Sequence, residues 1–60
     1  MNRLADLPNL NNFEFIGITH DDCEIKCRVL FDGKIFRAYK EDPFGPCLSM
    51  LKGWRYSDVP

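Results

Sequence analysis

Apolar and polar residues alternate from Cys23 to Phe31. Cys23, Ile25, Cys27, Val29 and Phe31 share one parity, while Glu24, Lys26, Arg28 and Leu30 share the other. This is the period-2 pattern of a strand with one face on a core and the other mostly in water. Asp32-Gly33 follows and predicts a two-residue type I′ turn, because Asp and Gly tolerate the positive φ such a turn requires. Lys34 to Lys40 then reads as the returning strand. A loop at 32–33 fixes the register, since opposed residues share a face. It sets Phe31 against Lys34, Leu30 against Ile35, Val29 against Phe36, Arg28 against Arg37, Cys27 against Ala38 and Lys26 against Tyr39. The expected core face is Cys23, Ile25, Cys27, Val29, Phe31, Phe36 and Ala38.

Residues 13–20 are dominated by Phe, Ile and Thr and are bounded by Asn11-Asn12 and Asp21-Asp22, so they read as a strand preceding the hairpin. A loop at Asp21-Asp22 would oppose Ile18 to Ile25 and Ile16 to Cys27, and send Phe13, Phe15, Gly17 and Thr19 to the polar face. A loop one residue longer would return Phe13 and Phe15 to the core. Upstream, Leu4, Leu7 and Leu10 recur every three residues after Asn2, compatible with one short helical turn before Pro8. Downstream, Asp42-Pro43-Phe44-Gly45-Pro46 reads as turn. Cys47, Met50, Leu51 and Trp54 then lie at i, i+3, i+4 and i+7, one helical stripe, with Pro46 at its start and Gly53 near its end. The expected fold is α+β: a three-stranded antiparallel meander (13–20, 23–31, 34–40) with a short helix (46–53) packed on one face. Residues 1–60 form a single domain, with a loosely structured segment at 1–11 and a tail at 55–60.

A chain of 60 residues removes only roughly 60% of its unfolded surface on folding. A core of that size rarely contributes more than about 3–5 kcal/mol, and small natural proteins add disulfides, a metal or a second subunit. Met1 to Pro8 lacks the apolar stretch of a signal peptide and no run approaches a membrane span, which predicts a cytoplasmic chain without a membrane partner. Three cysteines, an odd number in that setting, argue against a disulfide framework. Self-association is the aid that remains, and a homodimer or a partner-bound form is expected.

The net charge of −1 excludes a molecule that attracts nucleic acid by overall charge. Its distribution is uneven: Lys26, Arg28, Lys34, Arg37 and Lys40 surround Asp32, and Asp21, Asp22, Glu24, Glu41 and Asp42 flank them. Lys26, Arg28, Arg37 and Tyr39 thus make a basic face on the hairpin. Like charges opposed in a sheet are destabilising, so an Arg28–Arg37 pair suggests a bound anion, and aromatic rings among arginines suit single strands or nucleotides. The competing reading is a solvated face, its arginines splayed, stacked on Tyr39 or paired with Glu14 and Glu24. Trp54-Arg55-Tyr56 gathers three residue types enriched at binding hot spots. With Trp54 on the apolar stripe capping the core, Phe13, Phe15, Arg55 and Tyr56 make a second candidate surface.

Cys23, Cys27, Cys47 and His20 are a formal ligand set for zinc, but Cys23 and Cys27 stand roughly 13 Å apart on a strand and no C-x2-C knuckle is present. No metal or other cofactor is expected, and these cysteines read as small buried hydrophobes. No Gly-rich phosphate loop or paired-carboxylate arrangement occurs, which disfavours catalysis. The functional expectation is a small non-catalytic protein that modulates or inhibits a larger macromolecular partner, by association with short chains an accessory protein of a phage or other mobile element. The alternatives are binding of nucleic acid or a phosphorylated ligand on the basic face, and a metal- or thiol-dependent activity.

Overall fold

The computed structural model describes residues 1–57. They form one antiparallel sheet of five strands, β1 (Glu14–Thr19), β2 (Glu24–Asp32), β3 (Ile35–Glu41), β4 (Phe44–Pro46) and β5 (Leu51–Tyr56), in the order β4-β3-β2-β1-β5. The helical pieces among the described residues are two 3-10 turns, Leu4–Asp6 and Leu48–Met50. The architecture is therefore all-β and not α+β, and the helix expected over 46–53 does not form. Arg55 and Tyr56, assigned above to the tail, are strand residues. Positions 58–60 of that tail lie outside the described residues.

The failure of the helix has a physical cause. A stripe of seven or eight residues containing Gly53 carries little intrinsic helical stability. In a three-stranded meander, moreover, β1 would keep an open row of unpaired backbone groups. Leu51–Tyr56 supplies the missing strand and pairs antiparallel with β1, setting Gly17 opposite Trp54 and Phe15 opposite Tyr56, with a bulge between Ile18 and Thr19. Met50 shows that the stripe was not one face, since it is 38% exposed while Cys47, Leu51 and Trp54 are buried.

Both hairpins also differ in register from expectation. Between β2 and β3 the turn is Gly33-Lys34, with Asp32 opposite Ile35, Leu30 opposite Arg37, Val29 opposite Ala38 and Arg28 opposite Tyr39. Gly33 has φ 69°, the left-handed value that a type II′ turn assigns to glycine at its first central position. A shift of two residues preserves parity, so Cys27, Val29 and Ala38 still face the core. It removes the Arg28–Arg37 opposition, however, and with it the electrostatic cost that suggested a bound anion.

Between β1 and β2 the loop has three residues, His20-Asp21-Asp22. The Thr19 N–H donates to the Cys23 carbonyl at 2.9 Å, the Asp22 N–H donates to the Thr19 carbonyl at 2.9 Å, and Asp22 has φ 67°. A turn followed by a left-handed residue is the usual three-residue hairpin connection. The Thr19 hydroxyl secures it by accepting the Cys23 N–H at 3.0 Å. The extra residue reverses parity and opposes Phe15 to Cys27. Phe15 thus joins the core, while Cys23, expected there, is exposed.

Leu7, Phe15, Cys27, Val29, Ala38, Cys47, Leu51 and Trp54 make the core, with Leu4, Phe13, Ile25 and Phe36 packed against it. Leu51 lies so close over β1 that a Cβ on Gly17 would stand 2.6 Å from its Cδ2. The N-terminal segment crosses the free side of β5, where Asn2 and Trp54 exchange backbone hydrogen bonds at 2.7 and 3.0 Å. The Trp54 indole N–H is satisfied by the Arg3 carbonyl at 2.8 Å.

Candidate functional site

The outer face of the sheet carries the proposed basic residues, and strand pairing determines what each one meets. Arg28 sits between Glu14 of β1, its cross-strand partner, and Glu41 of β3. Its Nη2 donates to Glu14 Oε1 at 2.6 Å and to Glu41 Oε1 at 3.1 Å, and its Nε also donates to Glu41 at 3.2 Å. The guanidinium is thus held by two carboxylates, and an incoming anion would have to displace them. Lys26 lies opposite Ile16 and Arg37 opposite Leu30, while Arg28 and Tyr39 are direct cross-strand partners; Lys26 and Arg37 are exposed.

Tyr39, opposite Arg28, also belongs to a second arrangement. Its ring stacks on Phe44 at 4.9 Å between centroids with the planes 8° apart. Phe44 comes from β4, the short edge strand that pairs Pro46 with Tyr39 and Phe44 with Glu41 after a cis Asp42-Pro43 peptide. Phe44 remains 67% exposed. An aromatic ledge therefore projects from the sheet edge, bounded by Pro46 and by the Glu14–Arg28–Glu41 ion-pair group. Reading 42–46 as turn alone concealed Phe44, Pro46 and the role of Glu41. The available signal was Phe44 itself, an aromatic two residues beyond a Pro turn, where a returning strand can begin.

The second predicted surface is divided by the fold. Phe15 is fully buried. Phe13 is half-buried and touches Phe15, Trp54 and Tyr56 with centroids 6.2, 5.8 and 6.0 Å away, and Tyr56 meets Trp54 edge-on at 4.9 Å. Phe13 and Tyr56 thus rim the inner core. Arg55 points to the outer face, where its Nε and Nη2 donate to the two oxygens of Glu24 at 3.1 and 2.9 Å. Lys52 makes a further ion pair with Asp22 of the first turn.

Cys23 and His20 are exposed at the β1–β2 turn. Cys27 and Cys47 are buried together, their sulfurs 3.5 Å apart, with the Cys47 thiol donating. That hydrogen bond, together with burial, pushes the Cys47 thiol far above the ordinary cysteine value. Among the described residues, no group of three or more His, Cys, Asp or Glu side chains is placed to hold a metal ion, and no cavity opens. Candidate chemistry therefore rests on surfaces. Comparison with known proteins adds no relative: no family model, curated sequence or solved structure matches the chain.

Proposed function

We propose that this chain is a non-catalytic binding protein that docks a larger protein partner through the Tyr39–Phe44 ledge, and thereby modulates or inhibits that partner. The supporting observation is the coplanar stack with Phe44 two-thirds exposed at a sheet edge. Its rigid partner ring lowers the entropy lost when it is covered, and its rim carries charges already neutralised by each other. Aromatic anchors inside a polar rim are the arrangement that dominates protein–protein affinity.

The nucleic-acid reading is weaker, because Arg28 is bound by Glu14 and Glu41. The two readings separate by salt and by one substitution. Affinity capture from the cells that make the protein, with wild type and Phe44→Ser side by side, should retain a protein with wild type and lose it at least about tenfold with the variant. Titration of that partner should change little between low and high salt, whereas phosphate neutralisation predicts a steep fall. Retention by Phe44→Ser, or capture of nucleic acid with steep salt dependence, rejects the ledge. Sedimentation of the isolated chain distinguishes a second copy from a different partner.

A further inference from the structure

Cys47 follows β4 directly, and its N–H donates to the Ala38 carbonyl of β3 at 3.1 Å. Its side chain turns into the core, where the Cys47 thiol donates to Cys27 Sγ at 3.5 Å, while the Cys27 thiol donates onward to the Ile25 carbonyl at 3.7 Å. Neither cysteine is exposed. The expectation that the cysteines lie too far apart to cooperate considered Cys23 and Cys27 on one strand. Folding instead brings together two that are 20 positions apart.

We propose that Cys27 and Cys47 are a reversible disulfide site, closed by a two-electron thiol oxidant such as hydrogen peroxide or a small disulfide. Two S–H bonds break and one S–S bond forms. With peroxide, the two electrons and two protons cleave the O–O bond and yield two waters; with a small disulfide they yield two thiols. The sulfurs must close from 3.5 Å to about 2.05 Å. Cys47 can supply that movement, because it lies between the three-residue β4 and the Leu48–Met50 turn and is tied to β3 through its N–H, not held inside one of the long strands. Burial makes the reaction slow, since the oxidant enters only through local opening, and leaves exposed Cys23 as the first site of alkylation. Once formed, the bond ties the segment carrying the ledge to β2 and removes loop entropy from the unfolded chain.

The test uses the full chain carrying Cys23→Ser, which removes intermolecular disulfides through the exposed thiol. Oxidation of the folded protein with peroxide, and separately with oxidised glutathione, should remove about 2 Da, mapped by non-reducing peptide analysis to a Cys27–Cys47 link. The thermal midpoint should rise by about 10 °C and return on addition of dithiothreitol. Adding Cys47→Val, which keeps the core filled, should abolish both effects. A chain that links only in denaturant, keeps a glutathione adduct, advances to sulfinic acid or melts lower after oxidation overturns the proposal.

Discussion

The two edges of this sheet solve the same problem differently. At one edge β5 extends over six residues, buries Leu51 and Trp54, and has its outer side strapped by Asn2. At the other, β4 extends over three residues, ends in Pro46, which has no N–H to offer, and displays Phe44. Short edge strands and edge prolines discourage indiscriminate pairing. The first edge closes the core, and the second, held by less, is available to present side chains. In a sheet with a core this small, stability and surface chemistry thus sit at opposite ends, and substitutions should separate them.

The largest expected effect is at the β5 edge. Trp54 meets Phe13, Phe15 and Tyr56, and truncation of such a side chain costs about 3–5 kcal/mol, comparable to all that a core of this size supplies. Trp54→Ala should therefore be largely unfolded at 25 °C by circular dichroism and show no cooperative urea transition. Phe44→Ala, at the other edge, should lower stability by less than about 1 kcal/mol. Equal losses at the two positions would break the comparison.

A smaller loss is expected at Gly17, where the Leu51 side chain of β5 lies close over β1. A Cβ there would meet Leu51 Cδ2 at 2.6 Å, Leu51 Cδ1 at 2.9 Å and Cys27 Sγ at 3.0 Å. The leucine tip can rotate, but only into a filled core, and overpacking costs about 1–3 kcal/mol. Gly17→Ala should lower the urea midpoint accordingly without changing the slope. Gly45 on the β4 side is a control, since its Cβ would meet only Lys40 Cε, at 3.9 Å, and Gly45→Ala should be close to neutral.

How legible this was in the sequence depended on what parity could decide. Between Asp32-Gly33 and Gly33-Lys34 the register moves by two residues, so Cys27, Val29 and Ala38 face inward either way, and an uncertain turn did no damage to the faces. Between a two- and a three-residue loop at Asp21-Asp22 it moves by one. That single residue carried Phe15 from a proposed surface to the core. The C-terminal third failed differently. Cys47, Met50, Leu51 and Trp54 fit a helical stripe by count, whereas the competing alternation, Leu51 and Trp54 inward with Lys52 and Arg55 outward, is offset by a bulge. Propensity and pattern were near balance there, and the open edge of β1, a long-range feature, decided. The candidate site followed the same division: Tyr39 was visible on the hairpin, but its partner Phe44 belongs to the three-residue β4, which pairs with the edge of β3.

A smaller effect is expected at the strap. Gly53 lets the N-terminal segment approach: an added Cβ would run into the Met1 side chain and stand 2.9 Å from the Asn2 carbonyl oxygen, which accepts the Trp54 N–H. Gly53→Ala should weaken that bond and cost about 1 kcal/mol. The specific reading is hydrogen exchange: the Trp54 amide should exchange faster in the variant while the Val29 amide, bonded to the Phe13 carbonyl, is unchanged. Equal acceleration at both amides would mean that the strap is not a separable part of the β5 edge.

The smallest effect is electrostatic and belongs to the same edge. Glu24 of β2 and Arg55 of β5 reach across the outer face of β1, since Glu24 pairs with Ile18 and Arg55 with Ile16. The arginine's hydrogen bonds and charge hold the Glu24 carboxyl below its ordinary value of 4.5. A carboxylate lowered in the folded state adds stability that is fully present above its unfolded value and disappears as pH falls through the folded one. The contribution should therefore be constant at neutral pH and decline below about 4.5. Glu24→Gln should shallow the acid limb of the thermal-midpoint profile and shift the neutral plateau only slightly, because an exposed pair is well screened by solvent. Added salt should shrink the difference between variant and wild type further. An acid limb unchanged by Glu24→Gln would mean that the Glu24–Arg55 pair does not contribute to holding β5, leaving that edge to packing, its backbone pairing with β1 and the Asn2 strap.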